Sequence, residues 1–137
     1  MTYVIDASVV LKWFVAEEGS IMARKLRTQL LAGEVDLVAP DMVLYEMAHV
    51  LLRKKTFAVP EVQEAVALVF RVGVAVSPPD VGQISKAIEF ASRAGASVYD
   101  SAYLALASDL GCPLVTADAR FAKAASALGD IRLLSDL

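Results

Sequence analysis

The sequence is short of several things, and each shortage narrows what the chain can be. It has one cysteine, Cys112, so no internal disulfide can form and nothing points to an oxidising compartment. It has one histidine, His49, and one nitrogen with one sulfur does not make a zinc site. Asparagine is absent, in keeping with a thermophilic source. No apolar run reaches the ~18 residues of a membrane span, because Lys12, Glu46 and Arg71 interrupt the most apolar segments, so no membrane partner is expected. The opening MTYVIDAS has neither the basic start nor the small-residue cleavage site of a secretory signal, and the expected location is cytoplasmic. Basic charge is lacking too. The net charge is −3 and the pI near 5.1, whereas simple nucleic-acid-binding modules often exceed a pI of ~9.

What is present is apolar. Hydrophobic residues make up 57% of the 137, above the roughly 45–50% of ordinary globular chains. That is enough for one well-buried domain spanning residues 1–137, with apolar surface left over for a partner. The runs TYVI, VDLVAP, GVAVS, CPLVT and IRLL read as strands bounded by Pro, Gly, Asp or Ser. Between them lie segments with helical spacing. SIMARKLRTQLLAG puts Ile21, Leu26, Leu30 and Leu31 on one side and stops at Gly33. PDMVLYEMAHVLLRKK and PEVQEAVALVFRV each open on a proline suited to a first helical turn. DVGQISKAIEFASRAG and SVYDSAYLALASDLG both end at glycine. Nearly continuous apolar strands alternating with helices predict a three-layer α/β/α domain around a parallel sheet.

In such sheets ligands bind beyond the carboxyl ends of the strands, so the polar residues that follow strands matter most. Asp6 follows the first, in VIDAS, and Asp118 follows the fourth, in LVTADARF. Taken singly, each is a candidate helix cap, and Ser97 with Asp100 has the spacing of a capping box. Glu46 is different. It sits among apolar neighbours in MVLYEMAHVLL, with Met42 and Val50 four residues away on either side. A carboxylate buried there needs a cation or hydrogen-bond donors. Four acids around one crevice tolerate each other only with cations present, and an all-oxygen set suits Mg²⁺ or Mn²⁺. Such a site activates water against a phosphodiester. The four acids outweigh the net charge, so the remainder of the chain is slightly positive and a phosphate backbone can approach a metal-loaded protein.

VIDASVVLKWF at the start, YEMAHVL in the middle and YDSAYLALASDLGCPLVTADARF late in the chain together resemble the PIN domain, particularly the VapC-type toxin ribonucleases. The resemblance spans essentially the whole chain. It implies a PIN-like fold and a Mg²⁺- or Mn²⁺-dependent endoribonuclease, with Asp6, Glu46, Asp100 and Asp118 at the acidic, catalytic and metal-binding positions. Ser8 and Thr116 match the hydroxyl positions that orient the first and last acids. It also implies an RNA substrate, a cognate antitoxin protein and a homodimer or higher homo-oligomer. His49 departs from the pattern, since asparagine is frequent there.

Other residues invite roles and have plainer explanations. Lys12, His49 and Arg53 are candidates to touch substrate, yet basic residues near a helix end usually face solvent. Trp13 and Phe14 could stack on bases, although their spacing fits core or interface better. Glu46-x-x-His49 is half of a di-iron motif, but that site needs the motif twice in a helical bundle. Two other functions compete with a nuclease: a non-catalytic PIN-like module that binds RNA or a partner protein, and a phosphoryl-transfer α/β protein. The second needs a second acid close to Asp6 and a late-strand lysine, where this chain has Ala7, Ser8 and Arg120.

Overall fold

The five apolar runs all become strands, and the computed structural model describes every one of the 137 residues. The order is β1 (Thr2–Ile5), α1 (Ala7–Leu11), α2 (Ser20–Leu31), β2 (Asp36–Pro40), α3 (Met42–Arg53), α4 (Val59–Arg71) and β3 (Ala75–Ser77). It continues with α5 (Val81–Ala94), α6 (Val98–Leu110), β4 (Leu114–Thr116), α7 (Ala119–Ala124) and β5 (Ile131–Leu133), and a 3₁₀ turn closes the chain. The strands form one sheet in the order β3-β2-β1-β4-β5, parallel at every pairing, with helices on both faces.

Burial explains why the strands lack the alternating pattern of half-exposed sheets. Val4, Ile5, Leu37, Ala39, Leu114 and Val115 are all essentially inaccessible to solvent, because both faces of the central strands are covered. Helix α6 packs on β1, β2 and β4 and is covered in turn by α5. Tyr103 through Ala107 of α6 are therefore buried without a break. Helices α3 and α4 pack together, and α1 packs on α3 and β4.

Local signals set the helix ends. Asp80 caps α5 by accepting from the Gln83 N–H at 2.9 Å, and Glu61 accepts from the Ala58 N–H at 2.7 Å ahead of α4. Gly95 and Gly111 end α5 and α6 in the left-handed region, at φ +64° and +65°. Pro40 corrects the sequence reading. It is the last residue of β2 rather than part of the first turn of α3, and its neighbour Asp41 carries the N–H that bonds to Ser77 O, at 3.0 Å. A proline is tolerated where the strand no longer needs its donor. The short helix α1 is not marked in the sequence, since only five residues separate its start from its end.

Candidate active site

The sheet order places a crevice at a defined point. From β1 the chain builds outward through β2 and β3, then crosses back to β4 and β5 on the other side. The switch in direction falls between β1 and β4, and open α/β sheets bind ligands outside the carboxyl ends of strands at such a point. Asp6 is the first residue after β1, and Asp118 lies two residues beyond β4. Glu46 comes from the middle of α3 and Asp100 from the first turn of α6.

The four acids are brought together electrostatically. The charge on Asp100 pushes up the proton affinity of both Asp6 and Glu46, Asp6 acts likewise on Glu46, and Asp118 acts on Asp100. Desolvation is the larger influence on each of the three raised groups. It pushes Asp6 up to about 6, against the hydrogen bonds that favour its charged form.

Those hydrogen bonds form a symmetric cradle. Ser8 Oγ donates to Asp6 Oδ1 and Thr116 Oγ1 donates to Asp6 Oδ2, both at 2.5 Å. Each hydroxyl is oriented from behind by the main chain. The Ala117 N–H donates to Ser8 Oγ at 2.9 Å, and the Asp118 N–H donates to Thr116 Oγ1 at 3.0 Å. A hydroxyl that accepts from a fixed N–H has its own proton free for the carboxylate. The loop after β4 thus locks the side chain that follows β1. Asp6 also caps α1 weakly, accepting from Val9 N–H at 3.4 Å, so it has both of the roles its sequence position allowed.

The other three acids are held more loosely. Tyr103 donates its hydroxyl to Glu46 Oε1 at 3.1 Å, from one turn along α6 on the side of Asp100. Burial and the Glu46 charge drive the Tyr103 hydroxyl far above its ordinary range, so it remains a donor. Sequence reasoning missed Tyr103. The available signal was a tyrosine three residues after Asp100 in a helix otherwise filled with alanine and leucine. Ser97 caps α6 by accepting from the Asp100 N–H at 3.0 Å, and Asp118 caps α7 by accepting from the Phe121 N–H at 3.0 Å.

No basic side chain pairs with any of the four. The ion pairs of the molecule are Lys12–Glu17, Arg71–Glu64, Lys86–Asp109 and Arg132–Asp130. As the side chains stand, no three His, Cys, Asp or Glu groups come close enough to enclose one ion. The donor set is nevertheless all oxygen and anionic, with an uncompensated charge at its centre, which fits a hard divalent cation and no other common ion.

The remaining candidates lie outside this cluster. Lys12 is largely buried and bonds to Glu17 at 3.1 Å, in a hollow beside Ala117 and Ala119. His49 and Arg53 are exposed on α3. Trp13 belongs to the core, where its indole N–H donates to Ala23 O at 2.9 Å.

Residues 3–127 match the family model of the PIN domain. Ribonuclease VapC3 of Pyrobaculum aerophilum is 30% identical over 132 residues, which cover 93% of this chain and 98% of that protein. Among solved structures, the sarcin-ricin loop cleaving toxin VapC20 of Mycobacterium tuberculosis is similar with a TM-score of 0.72 at 19% identity, covering 89% of this chain and 94% of that one. VapBC2 of Rickettsia felis, bound to a DNA fragment from its promoter, is similar with a TM-score of 0.72 at 14% identity, covering 97% and 98%. The all-parallel sheet, the acids at its switch point and the match over nearly the whole length agree: the chain belongs to the PIN domain family.

Proposed function

We propose that this protein is a Mg²⁺- or Mn²⁺-dependent endoribonuclease acting as the toxin of a toxin–antitoxin pair. The observation that carries the reading is a set of four carboxylates at the switch point with no basic side chain in the protein to balance them. The ribonuclease relative aligned along almost the full length supports RNA as substrate, and the toxin–antitoxin complexes among the structural relatives support an antitoxin partner.

Asp6 and Asp100 would bind the ion directly, Glu46 would bind it or orient the attacking water, and Asp118 would complete the oxygen set. When bound, the ion supplies Lewis acidity: it lowers the pKa of the attacking water and offsets charge on the phosphodiester. The protein's own part is orientation. The Ser8 and Thr116 hydroxyls fix both oxygens of Asp6, and the Tyr103 hydroxyl fixes one oxygen of Glu46 and leaves the other for water. The mutual repulsion of Asp6, Glu46 and Asp100 keeps the carboxylates apart when no cation is present, and neutralising it would let them draw in.

Single-stranded and structured RNAs incubated with the protein should be cut with Mg²⁺ or Mn²⁺ and left intact in excess chelator. Cleavage that persists in chelator, or in Asp6→Asn, overturns the reading. The spacing of the acids, too wide to enclose an ion as they stand, favours one rival, a non-catalytic module that binds RNA or a partner. Titration calorimetry separates them, since that module would bind RNA or antitoxin but no divalent metal.

A further inference from the structure

The large apolar side chains left in solvent are unevenly placed. Helix α5 exposes Val81 (86%), Ile84 (46%) and Ile88 (53%), and the first turn of α6 exposes Val98 (43%) and Tyr99 (69%). Val81, Ile84 and Ile88 are spaced three and four apart and form one stripe along α5. Ser85 and Ser92 extend it, so the stripe has no charge along the whole helix. It runs into a hollow of about 320 Å³ lined by Pro40, Met42, Pro79, Ile84, Val98 and Tyr99. The inner face of α5 is already taken, with Ala87 and Ala91 buried where it packs on α6.

We propose that this face is the twofold interface of a homodimer in which α5 packs antiparallel against α5 of a second copy. Two features select a second copy over an unrelated partner. The first is charge. Asp80 caps the amino end of α5 and Arg93 lies in its last turn, outside every ion pair of the protein. The second is register. Residues facing each other across an antiparallel pair have position numbers of constant sum. Asp80 with the partner's Arg93, Val81 with the partner's Ser92, and Ser85 with the partner's Ile88 all share one sum. The register that joins the opposite charges therefore also brings the apolar stripes together, with the two helix dipoles opposed. The five exposed side chains offer on the order of 500 Å² per copy, more than half of the ~800 Å² each partner gives to a standard interface. The hollow accepts apolar side chains of the partner beside that stripe.

The test is light scattering and sedimentation of the full chain over a range of concentrations. The unaltered protein should run at twice its 14.6 kDa chain mass. Ile84→Glu with Ile88→Glu should raise the dimer dissociation constant more than about 100-fold, because four like charges would meet at the axis. Both positions are open to solvent, so the circular dichroism and melting temperature of the monomer should be retained. Val81→Lys, at a nearly fully exposed site, gives the same reading should that pair unfold. Arg93→Asp should weaken the dimer about tenfold by facing the partner's Asp80, and adding Asp80→Asn, which keeps the cap, should recover most of the loss. Ile21→Glu, on α2 and 87% exposed, should leave the dimer intact. A monomeric unaltered protein, a dimer that survives the glutamate and lysine variants, or equal loss with Ile21→Glu would overturn the proposal. None of these variants touches an acid of the cleft, so the outcome is independent of the nuclease reading.

Discussion

Acids at the surface of this protein and acids in its cleft are treated in opposite ways. At the surface, Asp109 has Lys86, Glu64 has Arg71, Asp130 has Arg132 and Glu17 has Lys12. In the cleft, Asp6, Glu46 and Asp100 have hydroxyl donors, one another and no cation. Surface pairs add little stability, because water already solvates both charges. Cleft acids lose that solvation and gain no partner, so they cost stability in the protein alone. A fold retains such a cost where the missing charge arrives from outside, and the comparison assigns the cleft to a cation.

The largest expected effect comes from removing the central charge. Asp6→Asn should lower metal-dependent RNA cleavage at least about 10³-fold, measured with labelled RNA at saturating Mg²⁺. Activity within tenfold of the unaltered enzyme would remove Asp6 from the chemistry.

Next in size is the pH dependence of the metal-free protein. The pKa of Asp6 is raised in the fold to about 6 from 3.8, so the folded state binds the proton more tightly than the unfolded chain does. Its contribution is most favourable below the unfolded pKa and is lost as the pH rises through the folded one, a penalty of about 3 kcal/mol at neutral pH. Glu46 and Asp100 are raised as well and act in the same direction. The metal-free melting temperature should therefore rise between pH 7 and pH 5. Mg²⁺ should stabilise the protein more at pH 7 than at pH 5, and the Asp6→Asn variant should show less of both effects. Differential scanning calorimetry with and without the ion reads each.

The cradle should matter less than the acid it holds. Ser8→Ala or Thr116→Val should weaken Mn²⁺ binding, read by calorimetry, and cleavage by about 10–100-fold. Tyr103→Phe keeps the ring in the core and removes one hydrogen bond, so about 1 kcal/mol of stability and less than tenfold in activity are expected. The smallest effect is at the surface. Lys86→Met, which leaves Asp109 without its partner, should change stability by only about 0–1 kcal/mol in urea unfolding. A larger loss there than at Tyr103 would break the contrast between the two classes of acid.

The strands were legible because a parallel sheet buries both faces, and burial leaves short apolar runs that need no knowledge of their neighbours. The glycines that end α5 and α6 were legible for a local reason, since a left-handed residue is needed there. Pro40 was misread because a proline between a strand and a helix satisfies either, and only the pairing of Asp41 with Ser77 decides. Tyr103 was overlooked because its role depends on Glu46, 57 positions away.

The sequence by itself determined the layered α/β architecture and the identity of the acids, since periodicity, punctuation and residues that follow strands are properties of neighbours along the chain. The tertiary structure alone decided that Asp6 is clasped by Ser8 and Thr116, the latter 110 positions distant, and that no lysine or arginine reaches the cleft. It alone decided that the stripe on α5 stays in solvent. Hydrogen bonds, desolvation and exposure depend on which distant segments meet, and the order of strands in the sheet sets that.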